Sequence, residues 1–110
     1  MVEDVAEYIE PNGRHVSWKA AISETCKGIE DGLLKHHKKW GSSIFRPVSI
    51  ISAASAEDML RMRIDDRIRK LSKENTELEE RELLDDLIGY LVNLRAYMHT
   101  HKPEIWGLFE

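Results

Sequence analysis

Apolar residues recur at helical spacing along most of this chain. From Ser17 onward, Trp18, Ile22, Thr25 and Cys26, Ile29, Leu33 and Trp40 return every three or four residues, which puts them on one face of a helix. Cys26, inside that period, is expected as a small core residue rather than a nucleophile. Lys35, Lys38 and Lys39 crowd the last turn, where cations suit the negative end of the helix dipole, and Gly41 suits a left-handed cap. Upstream, Pro11-Asn12-Gly13 is a turn signal that ends whatever the preceding residues form. Ser55 followed by Asp58 resembles a capping box and opens a second helix, marked by Leu60, Ile64, Ile68 and Leu71. Its other face is ionic: Arg61, Asp65 and Arg69 stand one turn apart, and Asp66 stands one turn before Lys70. Thr76 with Glu79 starts a third helix that runs to the neighbourhood of Met98. The Ser72 to Asn75 connection is short, so the second and third helices are predicted to pack antiparallel.

Between the first two helices, residues 41–54 show neither helical period nor strand alternation, and Pro47 removes a backbone donor. An ordered loop held by Ile44, Phe45, Val48, Ile50 and Ile51 is expected, and a loop of about 14 residues is long enough to be a site candidate on geometry alone. The tail, with Ile105, Trp106, Leu108 and Phe109, is too apolar to be left in water and is expected to dock on its own core or on a second subunit. The fold class read from this pattern is all-α: three main helices in a bundle, a long ordered loop and an apolar C-terminal tail. The chain is divided into a head (1–16), helix (17–40), loop (41–54), helix (55–72), helix (76–99) and tail (100–110) within one domain.

Composition narrows the function classes. A chain of 110 residues fits one core. It is 42% hydrophobic and 33% charged with 6 Gly and 3 Pro, too apolar for disorder and too poor in turn residues for a β-sandwich. Sixteen Lys and Arg against 20 Asp and Glu give a net charge of −4, so no global positive field draws the chain onto nucleic acid. No stretch reaches the roughly 18 apolar residues of a membrane span, and the start Met1-Val2-Glu3-Asp4 is acidic. The single cysteine suits a reducing cytosol, so a cytoplasmic location is expected. His36 with His37, and His99 with His101, lack partners at metal-ligand spacing.

On the third helix, Leu83, Leu84, Leu87, Tyr90, Leu91, Leu94 and Met98, extended by Ile88 and Val92, fill an arc so wide that the helix is expected to be largely buried. In the remaining gap Glu82, Asp86, Gly89, Asn93, Ala96 and Thr100 fall near one line, with Asp85 at its edge. That stripe reads either as a solvated face or as the wall of a site. Gly89 costs a helix interior about 1 kcal/mol, usually because a helix or ligand must come close. Glu82 with Asp85 or Asp86 is the arrangement by which a helix offers oxygen ligands to Mg²⁺.

Three segments together resemble a phage-borne family of small helical proteins associated with nucleotide modification. That family is distantly similar to the all-α NTP pyrophosphohydrolases of the MazG and dimeric dUTPase type. The segments are Lys38-Lys39-Trp40-Gly41-Ser42-Ser43, Arg63-Ile64-Asp65-Asp66-Arg67-Ile68-Arg69, and Glu82-Leu83-Leu84-Asp85-Asp86-Leu87-Ile88-Gly89-Tyr90-Leu91. The resemblance implies a homo-oligomer and a nucleotide or nucleotide-derived small molecule as partner. For a pyrophosphohydrolase it implies Mg²⁺ held by an ExxE pair on one helix and an ExxD pair on the next. Glu82-x-x-Asp85 matches the second pair, whereas the first long helix has no ExxE and the only upstream match, Glu7-x-x-Glu10, is stopped by Pro11. A site with half the usual carboxylates holds fewer metal ions, which favours binding over hydrolysis.

The expected ligand-binding residues are Lys38, Lys39, Arg46, Arg63 and Arg67 for phosphate oxygens, Ser42 and Ser43 as small donors, Trp40 and Tyr90 for stacking, and Asn93 on the polar stripe. Glu82, Asp85 and Asp86 are metal ligands only if the protein is catalytic. Three readings remain open: a phage-type protein that sequesters a nucleotide or nucleotide-derived signal without a cofactor, in the host cytosol if phage-encoded; a Mg²⁺-dependent nucleoside triphosphate pyrophosphohydrolase; and a helical protein-interaction module.

Overall fold

The computed structural model describes residues 6–9, 11–41 and 55–107. Three main helices dominate: α1 (Trp18–Trp40), α2 (Ala56–Leu71) and α3 (Glu77–His101), followed by a short α4 (Pro103–Trp106). The class is all-α, with the helices where the apolar period predicts them. No helix among the described residues is long and apolar enough to cross a membrane. The chain divides into two compact units, Met1–His36 and His37–Glu110, with the boundary inside α1.

In the first unit, the segment read only as a head contains a small antiparallel pair, β1 (Ala6–Ile9) and β2 (His15–Ser17), with Tyr8 opposite Val16 and Ile9 opposite His15. The turn joining them is the predicted one. Gly13 takes φ +86°, a left-handed conformation open to glycine, and the Asn12 side-chain oxygen accepts from the Arg14 amide at 3.0 Å. The Ser17 hydroxyl then accepts from the Ala20 amide at 3.1 Å, satisfying one of the orphan donors that begin α1. At the other end Gly41, at φ +71°, donates its N–H to the His37 carbonyl at 2.7 Å, the left-handed cap expected of it.

The apolar face of α1 does not form a core. None of its residues is buried, and Trp18, Ile22, Leu34 and Trp40 are each more than half exposed. Cys26, expected inside, is exposed for the same reason. Periodicity reports which side of a helix is apolar and says nothing about whether a neighbour covers that side.

The second unit is built on α2 and α3, which pack against each other across a connection of a few residues. Ser55 caps α2 by accepting from the Asp58 amide at 3.1 Å. Thr76 and Glu79 form the full capping box of α3, with bonds of 3.2 and 2.9 Å in the two directions. Leu60, Ile64 and Ala56 of α2 and Met98 of α3 form the buried apolar set. Gly89 is buried too.

The rest of α3 departs from expectation. Leu84, Leu91 and Val92 are exposed, because one packed helix covers only part of an arc that wide. Of the tail, α4 meets α3 through Trp106, while Ile105 is exposed and Leu108 and Phe109 lie outside the described residues. Arg95 donates to the carbonyl of Trp106, its guanidinium lies 5.5 Å from the Trp106 ring centroid, and the His99 ring sits 3.4 Å from the same carbonyl. Of the loop expected over 41–54, all but Gly41 lies outside the described residues.

Leu60 is 1% exposed, so Leu60→Ala is expected to destabilise the protein by about 2–5 kcal/mol. Met62, two residues on and 55% exposed, is expected to tolerate the same change within about 0.5 kcal/mol. Chemical denaturation of both variants checks the assignment, and equal losses would contradict it.

Candidate functional site

The elbow between α2 and α3 is closed by its own polar groups. The Ser72 amide bonds the Ile68 and Arg69 carbonyls at 3.2 Å each, and the Ser72 hydroxyl donates to the Arg69 carbonyl at 2.6 Å. The Asn75 side-chain amide donates to the carbonyls of Lys70 and Lys73 at 3.0 and 2.9 Å. These contacts satisfy carbonyls that the end of α2 leaves open, while the Thr76–Glu79 box does the same for the first amides of α3. Both helix ends are thereby held in one geometry.

A cleft of about 390 Å³ opens at this elbow, within the range of about 300–1,000 Å³ common for small-molecule sites. The end of α2 and the connection contribute Arg67, Lys70 and Lys73 to it, and α3 contributes Glu79, Glu82 and Asp86. Lys70 in the last turn of α2 and Glu79 in the first turn of α3 each stand where the helix dipole favours their charge. Leu83 and Asn75 complete the lining.

Arg67 joins the two helices. Its Nη1 donates to Asp66 at 2.8 Å and its Nε lies 3.5 Å from the Asp86 carboxylate. That Nε is shielded from solvent without a hydrogen bond, so the contact with Asp86 is one of charge rather than of directed bonding. Arg63 and Arg67 both lie over the Tyr90 ring, with guanidinium carbons 5.6 and 5.2 Å from its centroid. The Tyr90 ring thus helps to hold both arginines in place.

Asp66 is the second hub. It accepts from Arg67, from Arg69 at 3.1 Å, and from Lys70 at 3.0 Å. The Lys70 contact first and the Arg69 contact second hold its carboxyl down to about 2 from an ordinary 3.8. The Glu79 carboxyl is also held low, by the backbone N–H of Thr76. Arg61, Asp65 and Arg69 stand one turn apart without pairing with one another. Arg61 turns back to Glu57 at 2.9 Å and Arg69 turns to Asp66, since both find a carboxylate one turn toward the N-terminus.

Of the residues singled out from sequence, Arg63, Arg67, Tyr90 and Asp86 meet at the α2–α3 seam, and Glu82 lines the cleft beside them. Asp85 is drawn to Arg81 at 3.9 Å and is not part of the lining, so the acidic pair on the cleft is Glu82 with Asp86 rather than Glu82 with Asp85. Asn93 is half-buried on α3. Lys38, Lys39 and Trp40 stand at the end of α1, all exposed, with Lys39 5.0 Å over the Trp40 ring. Ser42, Ser43 and Arg46 lie outside the described residues. Among the described residues no group of three acidic, histidine or cysteine side chains converges as a metal site. His101 is stacked on Tyr97, with ring centroids 3.9 Å apart.

Sequence reasoning missed Asp66 as a hub and Lys73, Asn75 and Glu79 as lining. Their signal was the short connection itself, which brings the basic end of one helix beside the acidic start of the next. No protein-family model, curated protein or solved structure matches this chain.

The Asp66 shift has a definite sign. A carboxyl whose folded value lies below 3.8 stabilises the fold fully above that value, and the contribution drains away as pH falls toward 2. Titrating helix content from about pH 5 to about pH 2 is expected to show progressive loss. Asp66→Asn should lower stability at neutral pH and flatten that acid limb, whereas an unchanged limb would contradict the hub.

Proposed function

We propose that this protein binds a nucleotide or nucleotide-derived signalling molecule in the α2–α3 cleft and holds it without turnover. The observation that carries the reading is a cleft of about 390 Å³ that sets Arg67, Lys70 and Lys73 opposite the carboxylates of α3, with Arg67 held in place by Tyr90, Asp66 and Asp86. Guanidinium and ammonium groups fixed in advance lose little entropy on meeting a phosphate, which is what a tight binding site requires. The resemblance to phage nucleotide-modification proteins supports the same ligand class. It also suggests sequestration in a host cytosol, by a homo-oligomer, as the setting.

The second reading is a Mg²⁺-dependent pyrophosphohydrolase, favoured by Glu82 and Asp86 lining the same cleft. The donor set fits a metal poorly. Asp86 faces Arg67, Asp85 faces Arg81 and Glu79 is committed to capping α3, whereas Mg²⁺ is held by convergent oxygens with nearly octahedral geometry.

The purified protein is incubated with nucleoside triphosphates, NAD-derived nucleotides and cyclic nucleotides in Mg²⁺, then heated, and the supernatant is weighed by mass spectrometry beside a thermal-shift series. A nucleotide that raises the melting temperature and is recovered intact is the expected result, since a ligand bound only by the native state stabilises it. Arg67→Ala should weaken that nucleotide, because it leaves the Asp86 carboxylate on the cleft without the cation it faces. Recovery of a monophosphate and pyrophosphate would establish the hydrolase instead, and no shift with any nucleotide would overturn both readings.

A further inference from the structure

The cleft holds more charge than it can offer to a ligand, and the surplus is already paired. Asp66 and Asp86 flank Arg67, Asp66 also takes Lys70, and Glu79 is turned to the Thr76 amide. Among the described residues, Lys73 and Glu82 are the two charged lining residues with neither an ion pair nor a capping bond. One is a donor with a positive charge and the other an acceptor with a negative charge. The lining as a whole is balanced, with Arg67, Lys70 and Lys73 against Glu79, Glu82 and Asp86.

Resting on the nucleotide-binding reading, we propose that the cleft selects nucleotides by low phosphate charge: its ligand class is the phosphodiester nucleotide, seated with its single anionic phosphate on Lys73 and a hydrogen-bond donor on Glu82. A phosphodiester carries one negative charge, whereas a terminal phosphate carries about −1.5 to −2 at neutral pH, and each further phosphate adds to it. One ligand charge meets Lys73, and every additional one finds Arg67 and Lys70 already paired while Glu82, without a cation of its own, repels it. Glu82, an acceptor only, requires a donor, and a ribose hydroxyl or an exocyclic base amine supplies it. The same carboxylate that would repel a polyphosphate thus gives the ligand its orientation.

The test is a set of binding isotherms at fixed ionic strength with the 3′,5′-cyclic monophosphate, 5′-monophosphate, diphosphate and triphosphate of each of the four ribonucleosides. It is run on the full chain, on Lys73→Ala and on Glu82→Gln. Within the best-bound base, the cyclic monophosphate is expected to bind at least tenfold more tightly than the triphosphate. Lys73→Ala should weaken the cyclic form at least fivefold. Glu82→Gln should weaken the cyclic form and strengthen the triphosphate, narrowing the preference at least threefold. Affinity that climbs from monophosphate to triphosphate, or a preference that Glu82→Gln leaves unchanged, would overturn the charge selection while leaving nucleotide binding in place. No binding by any member of the series would overturn the nucleotide reading and this one with it.

Discussion

The polar closure of the α2–α3 elbow is the constraint on which the carboxy-terminal unit depends. Helix ends leave amides and carbonyls without partners, and two helices can meet across a few residues only if those groups are satisfied within the turn. Here Ser72, Asn75, Thr76 and Glu79 do so with their own hydroxyl, amide and carboxylate groups. Once the elbow is fixed, Leu60 and Ile64 are set to be buried against α3, Arg67 comes within reach of Asp86, and the cleft takes its shape. With a buried apolar set this small among the described residues, the caps and the ionic seam carry a larger share of the fold's definition than they would in a large core.

The same physics accounts for the charge pattern of the cleft. Lysine and arginine at the end of α2 and glutamate at the start of α3 each answer a helix dipole, so the two signs would face each other here whether or not a ligand binds. What that logic does not require is a pocket of ligand size between them, or an arginine whose Nε is shut away from water with only a charge contact for company. A buried cationic nitrogen without a hydrogen bond costs stability. Its shielding from solvent at the joint of two helices distinguishes this seam from an ordinary solvated ionic face.

Local chemistry was legible in the residues. The starts of α2 and α3 at Ser55 and Thr76, the stop at Gly41 and the turn at Gly13 depend on side chains acting on their own backbone neighbours, and each appears where its residue type predicts. Coverage was less legible. Trp18, Ile22 and Cys26 of α1, and Leu84 and Leu91 of α3, belong to apolar periods and yet are exposed, because whether a face is covered is decided by other elements. The site divides along the same line. Arg63, Arg67 and Tyr90 are visible in the sequence as separate candidates, but that both guanidinium groups lie over the Tyr90 ring depends on how α2 packs on α3. Asp66 was visible only as a partner of Lys70, since its bonds to Arg67 and Arg69 depend on rotamers that spacing does not specify.

Binding at the elbow is most directly tested by mapping amide chemical shifts of the isotopically labelled full chain while the tightest nucleotide is titrated in. Perturbations centred on Arg67 to Lys73 and on Glu79 to Asp86, saturating together, are the predicted result. Saturable shifts confined to α1, or none on either side of the elbow, would contradict the account.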